Sequence, residues 1–470
     1  MICKLILSGR IFSALTLLLL STLVVTAQNP VPFINQPLVP SAIATSVPGI
    51  TFALTVNGTG FVSDSVVNWN GHPRTTAYVN GSKLYAYILS SDTEQASTAW
   101  ITVVNPTPGG TSNTVFLPIN NPTSTVSFEP RANYTVGANP QYIATADFRH
   151  DGRLDLVSAN YGSGSASVLL GNGDGTFQPQ SVYQNLECAQ VPIVGDYNRD
   201  GILDFAVPYC GGVAILLGHG DGTFNFLNSY PTPGYYHGIT ADFNRDGKLD
   251  LALADSGVSV LLGNGDGSFG LSHEYQAGGF STTVATGDVN RDGTLDLVTS
   301  NYDENNVSIL LGNGDGTFRT HVDYATGNNP VAVIVADFNG DGKLDLAVAI
   351  PAPGDQGPGA VSILLGNGDG TFRPRVDYPT SAGAIRIDVG DFNQDGKLDL
   401  AVSTVGPSVD ILLGNGDGTF QPALSFPTGG RPWNPVAADF NGDGHLDVAT
   451  GNFDDGTISV LLQTAPVKLH

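Results

Sequence analysis

Basic residues are scarce in this chain. Lys and Arg number 19 against 43 Asp and Glu, the formal net charge is −24, and no basic cluster interrupts the sequence. With nothing to neutralise phosphates, nucleic acid is excluded as a partner. Common enzyme signatures are missing too: there is no His-Glu-x-x-His and no Gly-x-Ser-x-Gly, and the 8 His are scattered singly. That argues against an enzyme, although a carboxylate-based lyase or hydrolase could use acids that no motif marks. Charged residues make up only 13% and hydrophobic ones 41%, so the negative charge does not come from a disordered acidic tail.

Long apolar runs are absent after Ile11–Val25, so no later segment could span a bilayer as a helix. That run follows Lys4 and Arg10 and ends at Val25-Thr26-Ala27, the layout of an export signal over residues 1–27. An uncleaved anchor is the alternative, but the run falls short of the ~20 apolar residues that span comfortably. The protein is expected to be secreted or on the cell surface. Cysteine is nearly absent. Cys3 lies within the signal, and no Cys follows its apolar run closely enough for lipid attachment. Cys188 and Cys210 flank two predicted strands of one hairpin and should meet at its open end. A disulfide is the expectation, in keeping with an oxidising compartment, and two buried free thiols are the alternative.

What the chain has in abundance is turn residues, with 59 Gly and 29 Pro, and one repeated loop. Asp-x-Asn-x-Asp-Gly-x-Leu-Asp begins at Asp147, Asp196, Asp242, Asp288, Asp337, Asp391 and Asp439, with Arg149 in place of the Asn in the first copy. The intervals run from 46 to 54 residues, a period that means a repeat architecture. About half of the 43 acids lie in these loops, and seven bound Ca²⁺ would bring the formal charge from −24 to about −10. Oxygen-rich positions around an invariant Gly suit a hard divalent cation.

Around each loop lie short β-branched segments bounded by Gly and Asp, which read as four antiparallel strands per unit, the blade of a β-propeller. Phe-x5-(Tyr/Phe) occurs seven times, from Phe128 to Phe420, but the Gly-Asn/His-Gly-Asp-Gly turn only six times. The missing turn would join the ends of the repeat region, so residues 128–134 are expected to supply the outer strand of the last of seven blades. Those Gly-rich turns could hold phosphate or a second metal, but a tight hairpin demands the same residues, and that reading is preferred. Residues 33–120 lack Asp loops and read as a small immunoglobulin-like β-sandwich. A linker over 121–126 contains Pro122, and the propeller is assigned to 127–464. The fold class is therefore all-β.

The Asp-rich loop, followed by Val-Leu-Leu-Gly-Asn-Gly-Asp-Gly-Thr-Phe, resembles the FG-GAP or VCBS repeat, the blade of integrin α-subunit propellers and of many secreted bacterial proteins. The resemblance covers roughly 127–464. It implies structural Ca²⁺, about six or seven ions, on one face of the ring, with ligands engaging the other. The implied metal ligands are Asp147, Asp151 and Asp155; Asp196, Asn198, Asp200 and Asp204; Asp242, Asn244, Asp246 and Asp250; Asp288, Asn290, Asp292 and Asp296. In the last three copies they are Asp337, Asn339, Asp341 and Asp345; Asp391, Asn393, Asp395 and Asp399; and Asp439, Asn441, Asp443 and Asp447. Arg149 makes the first copy weak, or replaces the ion with a salt bridge. An EF-hand is the competing reading, but its flanks would be helices, and position twelve of the fifth copy is Val348 where a bidentate Glu is needed. The segments Val56–Phe61, Trp69–Gly71 and Ile101–Pro106 are similar to an IPT/TIG domain.

The loops opposite the metal loops are rich in aromatics, with Tyr235, Tyr236, Tyr302, Trp433 and Phe453 foremost, and Tyr142 and Phe280 beside them. Flat rings near Asn301 and Asn452 suit stacking on sugar faces or anchoring a protein. The expected function is a Ca²⁺-stabilised adhesion or ligand-binding module for an extracellular carbohydrate or protein. The alternative is a polysaccharide-active enzyme on the same ring, for which Arg386, Arg431 and Asp355 are the residues to inspect.

Overall fold

Segments of five or six β-branched residues between Gly and Asp are too short for stable helices, and they extend instead. The computed structural model describes residues 32–34, 38, 43–44, 52–95, 97–107, 109–120, 123, 125–233, 236–352 and 357–464. The signal assigned to 1–27, part of the linker, Tyr235 and Asp355 lie outside the described residues. Within them the fold is all-β, and the single helical turn is Ser90–Asp92. Among the described residues no helix is long and apolar enough to cross a membrane.

From Ala132 to Leu461 the chain forms seven four-stranded antiparallel sheets. Six are built in chain order, as in Ala332–Ala336, Asp345–Ile350, Ala360–Leu364 and Val376–Pro379. The last is not: Pro432–Ala438, Asp447–Asn452 and Thr457–Leu461 take Ala132–Thr135 as their fourth strand. Ala132 lies opposite Val460 and Tyr134 opposite Ile458, and a further bridge joins Phe128 to Gln463. First strands of successive sheets pack side by side, and Pro432–Ala438 touches both Ala384–Gly390 and Pro140–Ala146. This arrangement is that of a β-propeller, and the seam covers the edge of Thr457–Leu461.

The second residue of the Asp loop does much of the packing between sheets. Tyr197, Phe243, Phe338 and Phe440 each meet edge-on the Phe that follows a Gly-rich turn, at 5.5 Å (Phe269), 5.7 Å (Phe318), 5.7 Å (Phe420) and 5.6 Å (Phe177). Backbone bonds run alongside: Gly267 N–H donates to the Tyr197 carbonyl at 2.9 Å, and Gly175 N–H to that of Phe440 at 3.0 Å. The Phe177–Phe440 contact ties the first complete sheet to the last. The turns themselves are locally satisfied. Gly173 and Gly175 sit at φ 81° and 80°, where a side chain is costly, and Asp174 Oδ1 accepts the Thr176 N–H at 3.0 Å.

Ahead of the ring, a four-stranded and a five-stranded sheet enclose Leu54, Trp69, Ile88, Ile101 and Leu117. This domain rests on the last two Asp loops. The Thr98 hydroxyl hydrogen-bonds to Asp439, and from the linker Thr123 N–H donates to the Asn393 carbonyl at 2.7 Å. Between the two domains lies a cavity of about 150 Å³ lined by Leu38, Phe116, Asp388 and Asp439.

Asp388 accepts the N–H groups of Val389 at 2.9 Å and Ala437 at 2.7 Å, and burial pushes its carboxyl up from 3.8 to about 6. A folded value above the unfolded one means its stabilising contribution is complete below about pH 4 and is lost as pH rises through about 6. Asp388→Asn cannot ionise. Its melting temperature relative to the native chain is therefore expected to rise between pH 4 and pH 7 and to stay level above, measured by calorimetry across that range.

Candidate metal loops and the opposite mouth

Each Asp loop joins the first strand of a sheet to the second. In the fifth copy, Asp337 Oδ1 and Oδ2 accept the N–H groups of Asp341 (3.2 Å) and Gly342 (2.8 Å), and Asn339 Oδ1 accepts that of Asp341 (2.9 Å). Asp341 Oδ1 accepts the Lys343 N–H at 2.9 Å. Asp345, wholly buried at the head of the second strand, accepts Phe338 N–H at 3.1 Å and Gly366 N–H at 2.7 Å, so it pins the loop to the end of the third strand. The same ninth-position strut recurs at Asp204, Asp250, Asp296, Asp399 and Asp447.

Three carboxylates, an amide oxygen and backbone carbonyls form the hard-oxygen donor set that Ca²⁺ takes. Among the described residues no three acidic, His or Cys side chains converge as a ready metal-binding group. The acids are spread over the turn's own N–H groups, and each oxygen keeps a second lone pair for a cation. Electrostatics favours one. Burial, reinforced by neighbouring carboxylates, pushes Asp204, Asp250, Asp296 and Asp391 up to about 7, and Asp196, Asp242 and Asp345 up to about 6. Asp399 and Asp447 are raised well above the usual range by the same causes. A divalent ion would supply the missing counter-charge.

The first loop carries its own cation. Arg149 Nη2 donates to Asp155 Oδ1 at 2.7 Å and to the Gly171 carbonyl at 2.6 Å, and Nη1 pairs with Asp151 Oδ2 at 3.0 Å. The guanidinium thus lies against two of the acids that the other copies offer to metal. Arg149→Asn is expected to raise the number of bound Ca²⁺ by one, counted by native mass spectrometry. In chelator the same variant should lose about 3–5 kcal/mol of stability, because Asp155 is left buried and unpaired.

Cys188 and Cys210 are joined by a disulfide, Cα to Cα 5.5 Å, at the end of the second sheet away from its Asp loop. The aromatic residues at that end fall into separate pairs. Tyr236 meets Phe280 at 4.8 Å, and Trp433 lies over Phe453 at 5.3 Å with Arg431 against the Phe453 ring at 4.7 Å. Arg431 is itself paired with Asp454 at 2.7 Å. Tyr302 is exposed. Asn301 and Asn452 do not join them. Both are fully buried, and their amides bond inward, Asn301 to Asn306 and Ser308 and Asn452 to Thr457 and Ser459, because a strand-end amide there faces the hydroxyl-bearing third strand.

A cluster that sequence reasoning did not assemble sits just inside this mouth. Arg386 Nε donates to the Tyr142 hydroxyl at 2.6 Å, and Nη1 donates to the carbonyls of Val331 at 2.6 Å and Ile385 at 2.8 Å. The guanidinium lies 5.1 Å from the Tyr142 ring and 5.9 Å from that of Trp433. His237, 5.4 Å from Tyr142, is pushed down to about 3 by burial and by the charge on Arg386. Burial raises Tyr142 more than Arg386 lowers it. The signal was present: Tyr142, His237 and Arg386 each stand five residues before the first Asp of their loops.

Residues 147–207, 196–253, 242–299, 288–348, 352–402 and 391–450 match the FG-GAP-like repeat family. These stretches cover well over half of the chain, which belongs to that family. Among solved structures, the chain is similar to an Agrocybe aegerita lectin that recognises non-reducing terminal N-acetylglucosamine, with 18% identity over 77% of this chain and 96% of that one, TM-score 0.45. It is also similar to BBS1N in complex with ARL6DN, at 11% identity over 73% and 99%, TM-score 0.51. A third is the V. cholerae biofilm matrix protein Bap1, at 14% identity over 74% and 91%, TM-score 0.43. The BBS1N superposition supports the fold and nothing further. No curated protein matches the chain.

Proposed function

We propose that the chain is a secreted or cell-surface, Ca²⁺-stabilised propeller of seven blades that binds an extracellular carbohydrate or protein on the face opposite its Asp loops, with residues 33–120 as an IPT/TIG-like immunoglobulin domain. The observation that carries this reading is the segregation of chemistry along the inner strands. Acid-rich loops stand at one end, where six copies pair no cation with their buried ninth-position Asp, and stacked rings stand at the other. The ions hold the scaffold and the mouth recognises. Trp433→Ala is expected to weaken capture of glycans or surface proteins by at least about 30-fold, the loss of one aromatic anchor, without changing calcium-dependent melting. Binding unchanged in Trp433→Ala and in Tyr302→Ala would remove the ligand face from the proposal.

A polysaccharide-active enzyme is the second reading, and the contact of Arg386 with Tyr142 is what favours it. Acid/base work calls for a group that titrates near the working pH. Tyr142 is raised above its ordinary range and His237 is held far below its own, so binding remains the better reading.

A further inference from the structure

Arg386 is a charge in an expensive place. It is only 8% exposed, yet among the described residues no carboxylate pairs with it. Asp388, two residues along the same strand, gives its oxygens to the N–H groups of Val389 and Ala437. A buried guanidinium left without an anion costs several kcal/mol, which two or three neutral acceptors offset only in part. Its fork is half used: Nε and Nη1 are bonded, while Nη2 donates to no described group. Trp433, half-buried at the mouth beside it, has its indole Nε1 buried on the Tyr142 side, out of a ligand's reach. One free donor, Nη2, therefore remains on a guanidinium that lies beside the rings of Tyr142 and Trp433.

We propose that this cluster is a subsite for an acidic sugar, in which the carboxylate of a uronate residue binds Arg386 Nη2 while its ring stacks at the mouth on Trp433 and Phe453. The inference rests on the ligand-binding reading of this face and narrows it. The guanidinium supplies the anion specificity, since its charge and the two N–H groups of Nη2 suit a carboxylate. The flat rings favour the pyranose over an acidic peptide side chain, which would leave them uncovered.

The test is calorimetric titration of the mature chain in Ca²⁺ with oligomers of glucuronate and galacturonate, and with the corresponding neutral glucose and galactose oligomers. Uronates are expected to bind at least about tenfold more tightly, the worth of a charge-assisted hydrogen bond. Arg386→Gln should erase that preference while neutral binding stays. Because that change could disturb the packing around Tyr142, Arg386→Lys serves as a second variant: it keeps the charge, lacks the fork, and should retain part of the preference. Equal binding of charged and neutral oligomers would overturn the acidic subsite and leave the ligand face standing. Acidic peptides binding with the same Arg386 dependence, and uronates not, would overturn the sugar. No binding by any probe would overturn both.

Discussion

Chelation of Ca²⁺ is expected to lower the melting temperature of the mature chain by on the order of 10 °C. Extracellular oxygen sites of this kind bind in roughly the 10⁻⁴–10⁻³ M range. At a free Ca²⁺ tenfold above such a constant, each site adds about 1.4 kcal/mol, and six add about 8 kcal/mol, comparable to the whole stability of an ordinary domain. Ions in these loops would act together where a loop abuts the turn of a neighbouring sheet, as Phe440 abuts Phe177 and Gly175. Scanning calorimetry in EGTA and in millimolar Ca²⁺ measures the shift, and Mg²⁺, which demands tighter octahedral geometry, should replace it poorly.

The second large effect concerns the ninth loop position. Asp345→Ala would strip acceptors from two buried backbone donors, Phe338 N–H and Gly366 N–H, and a ligand from the ion. Leaving two buried N–H donors without acceptors costs about 2–6 kcal/mol, enough to open the fifth sheet at physiological temperature. Asp345→Asn keeps one acceptor oxygen and should cost about half as much. Replacing the fifth-position Asp341, which is exposed and bonds only within its turn, should lower ion affinity with little effect in EGTA. Chemical denaturation of the three variants with and without Ca²⁺ separates strut from ligand. If Asp345→Ala unfolds no more easily than Asp341→Ala in EGTA, the strut has no such role.

The repeat was legible because every copy carries the same turn chemistry, with Asp and Gly at fixed places and β-branched residues between them. The all-β sheets follow from that local pattern. Counting outer-strand Phe against Gly-rich turns is what points to Ala132–Thr135 as the partner of Thr457–Leu461. Arg149 was legible as a departure because six other copies define what it departs from. The mouth was harder to read. Tyr142 and Arg386 meet across 244 residues, and neither shares a motif with the other. Their common offset from the Asp loops acquires meaning only once inner strands converge on one channel. Asn301 and Asn452 misled for the converse reason, since a polar residue at a strand end looks exposed until its Ser partner seven residues later is seen to face it. Coverage of Asp439 by the N-terminal domain and of Asn393 by the linker depends on two surfaces meeting, which no local pattern encodes.

The most direct test of the account is to count ions. Native mass spectrometry of the chain from Gln28 in millimolar Ca²⁺ should give six bound ions, one for each Asn-bearing loop, with none at the loop that Arg149 fills. A chain that binds no Ca²⁺ and melts alike in EGTA would contradict it, leaving the Asp loops as turns alone.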